Sequence, residues 1–202
     1  LDSDVPGVEQ GNRILVKPDG VVERSLGDES LDRVAREAAL ELLDAEHSEV
    51  RSLPDARGQT RAFVEVLEPP LRLLICGAGH DAAPLVEAAA NLGWSPIVVD
   101  DRPEFLNRER FPKAADLVLV ERPDKVAEVA PVDARTHVVV MTHNFLRDKD
   151  YVRSLLASPA RFLAMLGPAV RTERLLAELR DEGVDISEAD RARIRGPAGL
   201  DL

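Results

Sequence analysis

Five short apolar runs dominate the carboxyl-terminal two-thirds of the chain: Leu73–Cys76, Ile97–Val99, Leu117–Val120, Val138–Met141 and Phe162–Leu166. Each is continuous rather than alternating, the pattern of strands buried on both faces of a parallel sheet. Between them the spacing predicts helices over Asp81–Leu92, closed by Gly93, near Val126, over Lys149–Leu156, and over Thr172–Glu182, closed by Gly183. Strand–helix alternation of this kind predicts an open, doubly wound α/β sheet.

The first third reads differently. Ile14-Leu15-Val16 and Val21-Val22 flank Lys17-Pro18-Asp19-Gly20, two short strands around a turn. Leu31, Val34, Ala35, Ala38, Leu42 and Leu43 recur at helical spacing, predicting a helix over Ser30–Glu46. Arg61–Leu67 reads as a further strand, and Glu68-Pro69-Pro70 breaks regularity as a linker. The expected organisation is therefore a small α+β domain with its linker over 1–70, and the doubly wound domain over 71–202. The first dozen residues lack periodicity and are expected to form a loose terminus.

Composition narrows the function. The chain of 202 residues carries a net charge of -11, which argues against nucleic-acid binding, since that needs a basic surface to displace counterions. No apolar run approaches the ~20 residues of a membrane span, and no basic segment followed by an apolar stretch opens the chain as a secretory signal. Cys76 is the single cysteine, so a reduced, cytoplasmic setting is expected. It falls within a strand, where a core role outweighs that of a nucleophile. No zinc-ligand spacing and no Gly-x-Ser-x-Gly elbow are present.

The first apolar run leads into Gly77-Ala78-Gly79-His80-Asp81-Ala82, and the second ends at Asp100. Strand, glycine turn, helix and a later acid form the dinucleotide-binding fingerprint. Gly77 permits the tight turn, Gly79 admits a pyrophosphate, Ala82 allows close packing and Asp100 sits where a ribose hydroxyl is held. Ligands of such sheets bind beyond the carboxyl ends of the strands. There the sequence places Gly77, Gly79 and His80, then Asp100, Asp101 and Arg102, then Glu121-Arg122, then Thr142-His143-Asn144, and finally Gly167 with Arg171 and Arg174. A strand order of 3-2-1-4-5 would make the first and fourth strands neighbours, bringing His80 and His143 within roughly 10 Å across one crevice. Each candidate has a plainer reading. His80 is either a ligand or a backbone partner, and Thr142-His143-Asn144 is either a binding triplet or a helix cap. Asp100 and Asp101 are either ligand-facing or solvated loop acids. Arg102, Arg171 and Arg174 suit phosphate and oxo-anions through paired donors, but Arg171 and Arg174 also fit a solvated helix face paired with Glu173 or Glu178.

A wider set of motifs follows in order: Leu74-Ile75-Cys76-Gly77-Ala78-Gly79-His80, Val99-Asp100-Asp101-Arg102-Pro103-Glu104-Phe105, Val140-Met141-Thr142-His143, Leu166-Gly167-Pro168 with Arg171–Leu176, and Ile194-Arg195-Gly196-Pro197-Ala198-Gly199-Leu200-Asp201. Together they closely resemble the XdhC/CoxI family, the accessory proteins of xanthine dehydrogenase and aerobic carbon monoxide dehydrogenase. The resemblance implies a small amino-terminal domain and a Rossmann-like doubly wound parallel sheet. It implies binding of the molybdenum cofactor (molybdopterin), its protection during sulfuration by a cysteine desulfurase, and delivery to an apo molybdenum hydroxylase. A non-catalytic maturation chaperone, acting as a homodimer, is the expectation. The family pattern continues past Asp201 with a further helix, so the chain is expected to be a piece of a longer protein. Two alternatives stand beside this one. The fingerprint alone fits an NAD(P)-dependent oxidoreductase, although Tyr151 is the single tyrosine and Lys149 is too close for a Tyr-x-x-x-Lys pair. It also fits a nucleotide-binding interaction module. Adjacent acids at Asp100 and Asp101 would favour NAD over NADP.

Overall fold

The computed structural model describes residues 2–55 and 58–199. The chain divides into two compact units, Leu1–Pro69 and Pro70–Leu202.

In the first unit, β1 (Asp2–Ser3), β5 (Gly58–Val64) and β4 (Glu49–Asp55) form an antiparallel sheet in the order β1-β5-β4. A separate hairpin pairs β2 (Leu15–Val16) with β3 (Val22–Glu23). The helix α1 (Glu29–Asp44) begins where the Asp28 side chain accepts a hydrogen bond from the Leu31 N–H at 3.0 Å, satisfying one of the amides a helix start leaves open. Its apolar stripe buries Leu31 and Ala35 with Leu26 and Leu53 in a small core. The opening residues are not a loose terminus. Asp2 and Ser3 pair with Arg61 and Thr60, Ser3 Oγ lies 2.6 Å from Thr60 Oγ1, and Val5 is buried. A two-residue strand carries too little pattern to be read in advance. The strand β4 also escaped the sequence pattern, because Pro54 and Asp55 look like a turn; Pro54 is tolerated because β4 is an edge strand.

The second unit is an all-parallel six-stranded sheet. Its strands are β6 (Arg72–Cys76), β7 (Ser95–Asp100), β8 (Asp116–Leu119), β9 (Thr136–Val140), β10 (Phe162–Met165) and β11 (Ile194–Arg195), in the order β11-β10-β9-β6-β7-β8. Counted from β6, this is 3-2-1-4-5 with a sixth strand added beyond the fifth. The central register sets Leu74 opposite Ile97 on one side and Val138 on the other. The helices are α2 (Ala82–Asn91), α3 (Val126–Val129), α4 (Phe145–Leu156), α5 (Ala169–Asp181) and α6 (Glu188–Arg193). α4 starts four residues before the sequence-based bound and α5 three before, with Asn144 supplying the earlier cap of α4.

Alternation along β6 divides the core between two faces. Leu74 and Cys76 pack with Tyr151, Leu155, Leu175 and Leu176 from α4 and α5. Leu73 and Ile75 pack with Ala82 and Val86 from α2, and with Phe111. Helices on opposite faces account for the continuous apolar runs within the central strands, Leu73–Cys76, Ile97–Val99 and Val138–Val140. Between β7 and β8 no α-helix forms; a 3-10 turn at Pro103–Phe105 and an irregular segment deliver Phe111, fully buried, in its place. Phe111→Ala is therefore expected to cost about 3–5 kcal/mol of unfolding free energy. Val170→Ala, on an exposed helical position, should stay within about 0.5 kcal/mol. Urea denaturation of both variants checks the contrast.

Candidate functional site

The carboxyl ends of β6, β7, β9 and β10 form one rim, and the residues singled out in the sequence at those strand ends stand on it. Gly77 continues the sheet by donating its N–H to Val99 O at 2.8 Å, while Met141 N–H donates to Cys76 O at 2.9 Å. At φ +118° Gly77 has a conformation that favours glycine, and a Cβ there would lie 2.9 Å from Met141 O and 3.0 Å from Thr142 Cα. The first glycine thus lets the β6 and β9 loops touch. Gly79 makes room for a neighbour within its own turn, since a Cβ would meet Asp81 Oδ1 at 2.5 Å. That carboxylate reaches across the crevice, its Oδ2 lying 2.7 Å from His143 Nε2. His143 holds φ +58°, which is uncommon for a side chain of its size, and is 64% exposed. His80 is exposed and makes no hydrogen bond among the described residues. The two histidines therefore stand on the loops that follow the neighbouring strands β6 and β9, with Asp81 joining those loops.

Asp100 is 1% exposed. Its Oδ1 accepts from Arg102 N–H at 2.9 Å and Arg102 Nε at 2.8 Å, and its Oδ2 accepts from Ala78 N–H at 2.6 Å and Arg102 Nη2 at 2.9 Å. A carboxylate has about four lone-pair sites, and all four are engaged. With these donors in place, the carboxylate shapes the glycine turn. Arg102 in turn stacks on Phe105, 4.2 Å from the ring centroid. Asp101 pairs with Arg147 of α4 at 3.0 Å, so neither acid is a free loop residue.

Thr142, His143 and Asn144 divide the roles that the sequence left open. Asn144 caps α4 by accepting from Leu146 and Arg147 N–H at 3.0 and 3.2 Å. Thr142 donates its hydroxyl to Asp148 Oδ1 at 2.6 Å. Asp148 is 1% exposed, and its Oδ2 accepts from Arg171 Nη2 at 2.6 Å. A buried carboxylate thereby links the β9 loop to the first turn of α5. Gly167, at φ +122°, leaves room for Arg171, whose Cδ would lie 3.1 Å from a Cβ there. Arg171 turns to Asp148 rather than to Glu173 or Glu178; Arg174 does take the intrahelical pair, its Nε 3.0 Å from Glu178 and its side chain 70% exposed. Both guanidiniums lie over Phe145, at 5.2 and 4.8 Å from the ring centroid.

Sequence reasoning missed Asp81, Phe145, Arg147 and Asp148. Asp148 had a signal. It shares the buried face of α4 with Tyr151, Val152 and Leu155, and an acid on an apolar stripe needs a buried partner. Beneath the rim, Cys76 is fully buried and burial pushes its thiol pKa well up. Among the described residues Tyr151 Oη is buried without a hydrogen-bond partner, and burial raises its pKa too. Both belong to the core.

The helix starts add a further distinction. α4 is capped by Asn144, but α2 and α5, which follow β6 and β10, have no side-chain cap. Ala82 and Arg171 N–H donate to Gly79 O and Pro168 O and Pro84 has no N–H, so the helix dipoles and the remaining amides are what suit an anion. Among the described residues, no group of three or more His, Cys, Asp or Glu is disposed to hold a metal ion. No helix there is long and apolar enough to cross a membrane.

The family profile for the XdhC Rossmann domain matches residues 73–202, the whole of this sheet and its rim. The chain belongs to that family. It is 36% identical over 127 residues to a probable xanthine dehydrogenase subunit of Bacillus subtilis, covering 62% of this chain and 38% of that protein. It is 26% identical over 201 residues to the uncharacterized protein YqeB of Escherichia coli, covering 94% of this chain and 36% of that one. The chain thus spans less than two-fifths of the length of either relative. A crystal structure of a xanthine dehydrogenase from Bacillus halodurans shares the fold, with a TM-score of 0.59 at 24% identity over 90% of this chain and 60% of that one. The final Leu200 and Asp201 of the last sequence motif lie outside the described residues.

The Asp100 cluster sets an acid dependence. Burial alone would raise its pKa, but the Arg102 side chain and the Ala78 and Arg102 amides outweigh it and hold the carboxyl below its ordinary 3.8. A depressed folded-state pKa contributes stability above the unfolded value, and that contribution fades as pH falls below 3.8 toward the folded value. Asp100→Asn is expected to cost about 3 kcal/mol near neutrality, with the gap to wild type narrowing in more acid solution. Unfolding measured from about pH 7 to about pH 2.5 tests the slope; a constant gap would rule out the ionised cluster.

Proposed function

We propose that this chain is the cofactor-handling part of an accessory protein for a molybdenum hydroxylase of the xanthine dehydrogenase or carbon monoxide dehydrogenase type. It holds molybdenum cofactor as cargo at the rim of the six-stranded sheet, keeps it during sulfuration by a cysteine desulfurase, and passes it to the apo-hydroxylase. Membership of the XdhC Rossmann-domain family supports this reading, as does the name of the Bacillus subtilis relative. The observation that carries it is the pair of helix starts without side-chain caps, α2 and α5, with Arg171 in the first turn of α5 held by buried Asp148.

The donor set fits an anionic cargo. Gly77, Ala78 and Ala82 N–H already donate within the protein and Pro84 has none, so the remaining amides at Gly79, His80, Asp81 and Ala83 are assigned to its phosphate. Arg171 spends one nitrogen on Asp148, and its other N–H groups serve an oxo-anion, with the guanidinium plane fixed in advance. Thr142 positions Asp148, Asp148 positions Arg171, and Gly167 leaves the space that Arg171 needs. His143 and Asp81 border the same crevice, with the imidazole available to bond the cargo when Asp81 yields it. No bond-making step is assigned to these residues; the chain binds, orients and releases.

Saturation of Asp100 weighs against the dinucleotide reading, because a ribose would find no free acceptor on it. Titration calorimetry with molybdopterin, NAD and NADP is expected to rank molybdopterin first. Arg171→Ala should weaken its binding by about 1–3 kcal/mol. The same change strips a partner from buried Asp148 and is expected to cost about 1–3 kcal/mol of stability, so affinity is measured well below the melting temperature. Tight NAD binding without molybdopterin affinity would overturn the proposal in favour of an oxidoreductase.

A further inference from the structure

The amino-terminal unit contains a second cationic concavity, on which the function proposed for the rim does not depend. Gly11, Asn12, Arg13, Arg24 and Ser25 line a cleft of about 450 Å³ at the open end of the β2–β3 hairpin. The antiparallel register ends at Leu15–Glu23, and Arg24 then takes φ +67°, turning the chain beside Arg13 and Ser25 in the lining of the cleft. The cleft is fastened from behind, where Asn12 Nδ2 donates to Leu26 O at 2.6 Å. Ser25 Oγ accepts from Gly27 N–H at 2.9 Å, which leaves its hydroxyl proton for another acceptor.

Arg13 and Arg24 have no hydrogen bond or ion pair among the described residues. Elsewhere in this unit Arg36 bonds Gly20 O, Arg51 pairs with Glu41 and Glu49, and Arg61 pairs with Asp2, while Arg33 also lacks a partner among the described residues but does not line this cleft. In a chain with 37 acidic and 26 basic residues, acid partners are plentiful. Two arginines lining one cleft with no acid in its lining repel each other until an anion joins them. Guanidinium N–H groups match the oxygens of phosphate in pairs, and a serine hydroxyl supplies a neutral donor beside them. We propose that this cleft is an oxoanion site, taking the phosphate group of a small molecule through Arg13, Arg24 and Ser25.

The test uses the 15N-labelled full chain titrated with inorganic phosphate, with ionic strength held constant by chloride. The expected result is a saturable shift of amides within residues 12–26. The double variant Arg13→Gln, Arg24→Gln should weaken that titration about tenfold or more. Its spectrum should otherwise match wild type, since both side chains are exposed and make no internal bond. A second variant, Arg13→Lys with Arg24→Lys, keeps the charge without the paired donors and should fall between the two. The rim reports separately through amides 78–83, so failure there bears only on the function proposed above. Absence of shifts within residues 12–26, or an unchanged titration in the double glutamine variant, would overturn the site.

Discussion

The rim depends on one arrangement: a carboxylate buried at the end of β7 that satisfies the turn after β6. Asp100 receives the Ala78 amide from the glycine loop and three donors from Arg102. Without that acceptor the Ala78 amide would be buried and unpaired, a cost comparable to a lost hydrogen bond. With it, the path from the sheet into α2 is fixed before any ligand arrives. Asp148 acts in the same way one layer over, joining the β9 loop through Thr142 to α5 through Arg171. Two buried acids therefore hold four loops in one arrangement.

Much of the sheet was legible because its strands are continuous apolar runs, and only a two-faced burial site demands them. The order 3-2-1-4-5, entertained as the usual one for such a sheet, is the order found, with β11 added beyond it. Ile194–Arg195 went unread as a sixth strand, since two residues carry no period. Asp2–Ser3 escaped for the same reason. The early starts of α4 and α5 depend on what happens at a single residue before the helix, where cap geometry outweighs apolar spacing.

The site was legible in its membership and less so in its wiring. The sequence marks Gly77, Asp100, Arg102, His143 and Arg171 as residues at strand ends. It does not show that Arg102 folds back on Asp100 two residues away, or that Arg171 reaches an acid 23 positions earlier. Those contacts arise because parallel topology brings distant loops to one edge, where buried charge must find a partner. Asp148 was the readable clue, an acid on the inward face of α4.

The uncapped starts of α2 and α5 have a kinetic consequence. The molecule carries a net charge of -11, so an approaching anion meets repulsion at long range and attraction only within the last few ångströms. Added salt shortens the reach of the repulsion to roughly 10 Å at 0.1 M and 3 Å at 1 M, while helix-start amides act at contact distance. Encounter with an anionic molecule should then quicken as salt rises, the reverse of ordinary electrostatic steering. Such a surface filters by persistence: anions that only drift by are turned away, and those delivered at close quarters stay.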